Sequence, residues 1–158
     1  SADGVPFLLH DDSLDRTTSE RGVAGARTWD ELSRIDAGGW HSRTFAGEPV
    51  PSLQAIAAYV LRNGFTLNIE IKPTPGEEHA TGVVVARDAA RLWAGTAPPP
   101  LLSSFEADAL EVWRDAGELR GHVAPAFGRR IEVDEREHGG GSGAADGADL
   151  HRLDCPAM

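Results

Sequence analysis

The stretch SLQAIAAYVLRNGFTLNIEIKP, residues 52–73, decides the fold class, because it predicts a helix followed directly by a β-strand. Ser52 is a residue type that favours helix N-termini, and apolar side chains recur after it at helical spacing. Gly64 stands where a C-terminal cap belongs. The segment Phe65–Ile71 is rich in β-forming residues, and Pro73 ends it. A helix and a strand separated by one short loop are typical of an α/β fold.

The same alternation of strands and helices recurs on both sides of residues 52–73. The further predicted elements are a strand over Val5–His10, a helix over Trp29–Ile35, a helix from about Thr81 to Trp93, a strand over Leu101–Phe105 and a helix over Ala107–Asp115. Parallel neighbours need a crossover connection of this size, whereas antiparallel neighbours can be joined by a short turn. The order therefore predicts a parallel sheet in an α/β fold.

The composition is that of one acidic globular domain. The chain has 158 residues, 41% of them hydrophobic, and a formal net charge of −10. Such a charge argues against a non-specific nucleic-acid binder, which needs a basic surface, and disfavours anionic membranes. No apolar run approaches the length of about 18 residues that a membrane span requires. The single cysteine, Cys155, cannot form an internal disulfide, so nothing in the sequence requires an oxidising compartment.

The character of the sequence changes after residue 116. The last 42 residues contain 8 glycines, against 10 in the first 116, and the run HGGGSGAADGAD at 138–149 is of low complexity. We therefore predict a domain over residues 1–116 and a divergent, Gly-rich tail over residues 117–158. Because such a tail offers little apolar surface to bury, we expect it to be disordered.

Polar side chains stand where the predicted strands end. His10 and Asp11 follow the first strand, Glu70 and Lys72 lie at the end of the second, and Ser103-Ser104 lies at the end of the third. The carboxyl ends of parallel strands share one edge of the sheet, and ligands bind at that edge in α/β folds. We expect these side chains to lie close together.

The residue types alone leave the roles of these side chains open. His10 is either a structural histidine or an acid–base group whose tautomer Asp11 sets. Glu70 either faces a bound cation or pairs with Lys72 on the same face of the strand. Arg16 offers a cation to a phosphate group, although a loop arginine is usually solvated.

The residue identities of four segments are more specific than the spacing of residues along the chain. In chain order they are His10-Asp-Asp-Ser-Leu-Asp-Arg-Thr-Thr18, Gly47-Glu-Pro-Val-Pro-Ser-Leu53, Leu67-Asn-Ile-Glu-Ile-Lys-Pro73 and Leu101-Leu-Ser-Ser-Phe105. Together they resemble the glycerophosphodiester phosphodiesterase family, in particular its bacterial cytosolic members, over about Asp3 to Asp115. The resemblance implies an α/β fold that is a partial TIM (β/α) barrel of the phospholipase C-like phosphodiesterase type.

The resemblance also implies an activity and a site. The family hydrolyses glycerophosphodiesters to glycerol 3-phosphate and an alcohol, with a divalent cation, Mg²⁺ or Ca²⁺. On the matching positions, His10 is the expected catalytic histidine and Glu70 the expected metal ligand. Lys72 is the expected substrate-binding residue, placed to meet a phosphate oxygen or to steady Glu70. The implied partner is a small-molecule glycerophosphodiester, and the implied location is the cytoplasm.

Part of the family pattern has no counterpart in residues 1–158. The family places an HRG strand and an acid-x-acid metal pair before the position of His10, and further strand–helix units after that of Asp115. We therefore expect the chain to be a fragment that lacks the HRG strand and the C-terminal part of the barrel, and to be inactive alone. Two alternatives stay open: a non-catalytic relic of the same barrel, and a related barrel phosphodiesterase acting on phospholipid head groups.

Overall fold

Three short strands form one parallel sheet in the computed structural model, which describes residues 1–115 and 124–125. The strands, adjacent in this order, are β1 (Asn68–Glu70), β2 (Leu101–Ser103) and β3 (Ala124–Pro125). The β1–β2 register pairs Glu70 with Ser103, so the carboxyl ends of these two strands lie side by side. The prediction of a parallel α/β sheet is confirmed.

The helices follow the predicted order along the chain. They are α1 (Trp29–Leu32), α2 (Leu53–Asn63), α3 (Glu78–Leu92) and α4 (Ala107–Asp115), with short 3₁₀ helices at Ala24–Ala26 and Arg43–Phe45. Helix α3 begins three residues earlier than its apolar pattern predicts. None of the helices in the described part of the chain is long and apolar enough to cross a lipid bilayer.

Helix α2 has the ends that its sequence predicts. The Ser52 hydroxyl accepts a hydrogen bond from the backbone N–H of Ala55 at 3.1 Å, which satisfies one of the free donors of the first turn. At the other end, Gly64 adopts a left-handed conformation with φ of 68°, which glycine tolerates without strain. The two caps fix where the helix stops and where the chain turns toward β1.

The predicted strand over Val5–His10 is wrong. Phe7 forms an isolated antiparallel bridge with Ser52, and the segment joins none of the three strands of the described sheet. The carbonyl oxygens of Pro6 and Pro51 accept hydrogen bonds from the N–H groups of Leu53 and Leu8, respectively. Because proline has no N–H to donate in return, the pairing cannot extend into a regular ladder.

The sheet is covered by α3 and α4 through a buried apolar cluster. Its buried members are Leu53, Ile71, Val85, Ala89, Ala90, Leu102 and Ala109. Helix α3 meets α4 at Gly82, where an added Cβ would lie only 2.2 Å from the carbonyl oxygen of Ala109. The two helices therefore approach more closely than any other residue at position 82 would allow.

A second buried cluster holds the segment that follows His10. Leu14 is fully buried and packs with a set of apolar side chains from the neighbouring loops and α1, namely Ala24, Leu32, Ile35 and Val50. The backbone N–H of Leu14 donates to the carbonyl of Gly22, and that of Ala24 donates to the carbonyl of Asp12, both at 2.9 Å. Burial and backbone pairing together fix the loop that carries Asp11 and Arg16.

The predicted tail over residues 117–158 lies outside the described residues, except for Ala124–Pro125. Those two residues pair with β2 in parallel register, Leu101 opposite Ala124 and Leu102 opposite Pro125. Strand pairing thus occurs beyond the boundary predicted at residue 116. The division into a domain over 1–116 and a tail over 117–158 stays a prediction.

Candidate active site

Lys72 connects the end of β1 to His10. Its ammonium group donates to the backbone carbonyl of His10 at 3.1 Å and lies 3.4 Å from His10 Nε2. Lys72 is the only lysine in the 158-residue sequence. The contact brings the segment around His10 to the carboxyl end of β1, as expected from the polar residues at the predicted strand ends.

Glu70 and Lys72 lie on the same side of the chain as it leaves β1. Ile71 between them is buried, with 2% of its surface exposed, and its N–H donates to the Ser103 carbonyl at 2.7 Å. Both Glu70 and Lys72 are exposed. Since side chains alternate along an extended strand, the acid and the lysine project to the same face at this edge.

His10 is held by Asp11. Its Nδ1 lies 2.8 Å from Asp11 Oδ1. Two hydrogen bonds from Arg16 and, secondarily, the contact with His10 hold the pKa of Asp11 well below its usual range. An ionised carboxylate accepts hydrogen bonds only, so His10 Nδ1 must donate. The prediction that Asp11 can set the tautomer of His10 agrees with this geometry.

The His10 tautomer with its proton on Nδ1 is also consistent with the contact between His10 and Lys72. An ammonium group has only donors, so His10 Nε2 faces it with a lone pair. The imidazole ring is 73% exposed, which leaves Nε2 accessible to a ligand at this edge of the sheet. His10 therefore presents an unprotonated nitrogen beside a cation, an arrangement suited to proton transfer next to an anionic group.

Glu70 does not pair with Lys72. In the part of the chain that the structure describes, the Glu70 carboxylate makes no hydrogen bond or ion pair, and the Lys72 ammonium is directed to His10 instead. Of the two interpretations left open by the sequence, the internal ion pair is therefore not formed. The carboxylate is exposed at the strand end and available to a ligand.

The described residues do not by themselves form a complete cation site. Within residues 1–115 and 124–125, no three side chains of histidine, cysteine, aspartate or glutamate come together as a metal would require. A cation held by protein oxygens takes several ligands, and Glu70 supplies one carboxylate. Further ligands would have to come from elsewhere in the protein.

The serines at the end of β2 have structural roles. Ser104 Oγ donates to the Ile71 carbonyl at 2.7 Å and accepts from the backbone N–H of Glu106 at 3.1 Å. Ser103 Oγ donates to Asn68 Oδ1 at 3.1 Å. These bonds tie β2 to β1 and to the start of α4, so they keep the edge that presents Glu70 and Lys72 in place.

Arg16 has a role that the sequence pattern did not indicate. Its guanidinium binds Asp11 through two hydrogen bonds of 2.6 and 2.8 Å, while the side chain stays 57% exposed. A pair five residues apart in a loop has no periodic signature, unlike the pairs three and four residues apart in a helix. Only the folded path of the loop brings Arg16 back to Asp11.

A family model supports the resemblance noted in the sequence. The model of the glycerophosphoryl diester phosphodiesterase family matches residues 1–130. The chain belongs to this family. Among curated relatives, it is 37% identical over 70 residues to the glycerophosphodiester phosphodiesterase of Caldanaerobacter subterraneus, a match that covers 44% of this chain and 29% of that protein.

Solved structures of phosphodiesterases are similar to this chain in sequence and in fold. A phosphodiesterase of Oleispira antarctica, in complex with the product sn-glycerol-3-phosphate, is 31% identical, with a TM-score of 0.71 over 79% of this chain and 49% of that one. The glycerophosphodiester phosphodiesterase of Agrobacterium tumefaciens is also 31% identical, with a TM-score of 0.58 over 75% and 47%. The chain thus spans about half of each, and its fold is a partial TIM barrel.

Proposed function

We propose that this protein hydrolyses glycerophosphodiesters to sn-glycerol 3-phosphate and an alcohol. The observation that carries the proposal is the contact of Lys72 with His10, since it joins an acid–base group and a cation at the ligand-binding edge of the sheet in a member of this family. The similar Oleispira structure, which holds sn-glycerol-3-phosphate as its product, supports the class of substrate.

The residues at this edge fit the chemistry of a phosphodiester. Hydrolysis breaks one P–O bond, and water supplies a hydroxyl to phosphorus and a proton to the leaving alkoxide. His10 Nε2 is the group proposed to take or give that proton, with Asp11 bound to Nδ1. Lys72 offers its ammonium to a phosphate oxygen. A local cation is needed because the chain carries a net charge of −10, which repels an anionic substrate.

Glu70 is proposed as one ligand of a divalent cation, Mg²⁺ or Ca²⁺. Its carboxylate is exposed at the end of β1, and it makes no internal pair among the described residues. Such an ion would neutralise charge on the phosphoryl group. If Glu70 is a ligand, Glu70→Gln weakens calcium binding by the full-length protein in a titration calorimeter, and an unchanged affinity contradicts the assignment.

The function is tested by assaying glycerol 3-phosphate released from glycerophosphocholine by the full-length protein. We expect turnover, and a loss of at least about 100-fold in kcat for His10→Gln, in line with the contribution of a general acid–base group. His79→Gln on the exposed start of α3 is the matched control and keeps full activity. A full-length protein that releases no product would favour the non-catalytic relic.

Two further expectations belong to the same proposal. The 158-residue chain assayed alone is proposed to be inactive, because its described residues hold one candidate ligand carboxylate and no complete cation site. The cytoplasm is proposed as the place of action, because the sequence resembles bacterial cytosolic members of the family. Activity of the isolated 158-residue chain would refute its proposed inactivity. Recovery of the full-length protein from another cell fraction would refute the proposed cytoplasmic location.

A further inference from the structure

The Arg16 guanidinium donates two separate hydrogen bonds to the Asp11 carboxylate. Arg16 Nε donates to Asp11 Oδ2 at 2.6 Å, and Arg16 Nη2 donates to Asp11 Oδ1 at 2.8 Å. Two parallel bonds fix both the position and the plane of a carboxylate, whereas a single bond leaves it free to rotate. The side chain of Asp11 is 23% exposed and that of Arg16 is 57% exposed, so the pair lies at the surface of the protein.

The Asp11 carboxylate that Arg16 binds is also the one in contact with His10. Asp11 Oδ1 receives a bond from Arg16 and also lies 2.8 Å from His10 Nδ1. Because Arg16 sets the plane of the carboxylate, it also sets the direction from which Oδ1 meets the imidazole ring. The chain of contacts therefore runs from Arg16 through Asp11 to His10, and from His10 Nε2 to Lys72.

The loop that carries Arg16 is itself held in place. Leu14, two residues before Arg16, is fully buried, and its N–H donates to the Gly22 carbonyl. Ser13 forms an isolated bridge with Val23. The Thr18 hydroxyl donates to the Leu14 carbonyl at 2.7 Å. Contacts on both sides of Arg16 thus fix its backbone, and the bond to Asp11 does not depend on a flexible segment closing.

We propose that Arg16 is a positioning residue, which orients Asp11 so that His10 carries its proton on Nδ1 and keeps Nε2 unprotonated. The proposal deepens the proposed function and rests on it, since His10 is the acid–base group there. Arg16 acts through Asp11 and does not touch the substrate. The two hydrogen bonds that Arg16 makes to Asp11 are the contacts on which this role depends.

The experiment reads the tautomer of His10 directly. The full-length protein, labelled with ¹⁵N, is studied by long-range correlation of the imidazole nitrogens at a pH where the ring is neutral. The His10 signals are identified by their loss in His10→Gln. We expect the wild-type spectrum to show a protonated Nδ1 and an unprotonated Nε2. A wild-type His10 protonated on Nε2 would overturn the proposal without any further variant.

Variants of Arg16 then separate its role from that of Asp11. Arg16→Gln is expected to abolish the difference between the two nitrogens, as Asp11→Asn does, because both tautomers become populated. Arg16→Lys, which keeps the charge but loses the two-bond geometry, is expected to restore only part of the difference. Arg21→Gln is the matched control, since Arg21 is an 87% exposed arginine of the same loop that pairs with Asp15.

The outcomes are distinct from those of the activity assay. A His10 tautomer that is unchanged in Arg16→Gln but altered in Asp11→Asn shows that Asp11 acts alone, and it overturns the role of Arg16. If Arg16→Gln does not fold, the His10 tautomer measured in the wild type and in Arg16→Lys still tests the role of Arg16. If the full-length protein is inactive but shows the expected spectra, the proposed function is contradicted. The proposal that Arg16 sets the tautomer of His10 through Asp11 would still hold.

Discussion

Lys72 Nζ lies 3.1 Å from the carbonyl oxygen of His10, although 62 residues separate the two in the chain. The same ammonium lies 3.4 Å from the ring nitrogen Nε2. This contact joins the loop before the first helices to the end of β1, and it is the link between the two segments on which the site depends. Any anion that binds Lys72 is thereby brought next to His10.

Replacing Lys72 tests whether its ammonium serves an anionic substrate. Lys72→Met is expected to lower the kcat/KM of the full-length protein by about 10- to 100-fold, because a hydrogen bond to a charged group contributes about 1.5–3 kcal/mol. Lys72→Arg is expected to recover only part of this loss, since a planar guanidinium does not reproduce the compact ammonium that meets both atoms of His10.

The measurement is the steady-state rate of glycerol 3-phosphate release over a range of glycerophosphocholine concentrations. Arg87→Met on the exposed side of α3 removes one positive charge without touching the site, and it is expected to leave kcat/KM unchanged. If both variants lose activity equally, the effect is one of net charge, and a phosphate-binding role for Lys72 is excluded.

Asp36 gives the loop over residues 36–48 a dependence on pH. Its Oδ1 accepts hydrogen bonds from the N–H groups of Gly38 at 2.9 Å and Gly39 at 2.8 Å. These bonds, with a third from the N–H of Gly47, lower the pKa of Asp36. A carboxyl with a depressed folded-state pKa stabilises the fold fully above its unfolded pKa of about 3.9. That contribution is lost as the pH falls toward the folded-state pKa.

The Asp36→Asn variant should therefore lose less stability than wild type between pH 7 and pH 3. Chemical denaturation at several pH values measures this directly, as the difference in unfolding free energy between the two proteins. Asp12→Asn, at an exposed carboxylate, is the control and should follow the wild-type curve. Parallel curves for Asp36→Asn and wild type would show that the three N–H groups do not favour the ionised form.

Gly82 is required by the packing of α3 against α4. A Cβ at this position would meet the Ala109 carbonyl oxygen at 2.2 Å, and backbone atoms cannot yield as a flexible side chain can. Gly82→Ala is therefore expected to destabilise the protein by about 1–3 kcal/mol, despite the higher helix propensity of alanine. Thermal or urea unfolding measures the change.

Arg87→Ala on the same helix is the control for Gly82→Ala. Arg87 is exposed, so its replacement is expected to change the unfolding free energy by no more than about 0.5 kcal/mol. If Gly82→Ala proved more stable than wild type, helix propensity would outweigh packing, and the close approach of α3 to α4 would be contradicted.

Local signals predicted most of the fold. Helix α2 was predictable because Ser52 and Gly64 are capping residues at its two ends, and the capping box of Thr28 and Glu31 likewise marked α1. The prediction of a strand over Val5–His10 was wrong, since an apolar run indicates that a segment packs against the core but not which neighbour it pairs with; Phe7, Leu8 and Leu9 are partly buried. The prolines in the two paired segments decided that outcome.

The site could be predicted only in part. Asp11 lies next to His10 in the sequence, so their contact follows from a local rule. The contact of Lys72 with His10 was not predictable, because the sequence offered Glu70 or a phosphate oxygen as the partner of Lys72, and only the folded path of the chain brings His10 to it. The bond between Arg16 and Asp11 depends in the same way on the tertiary path of one loop.

Combining His10→Gln with Glu70→Gln in the full-length protein, and measuring kcat/KM for glycerophosphocholine, tests whether the two residues serve one site. Residues that act in one site lose activity together, so the double variant is expected to be about as impaired as the worse single variant. Losses that multiply, or a Glu70→Gln variant as active as wild type, would show that the two residues do not serve one reaction and would contradict the site proposed at the end of β1.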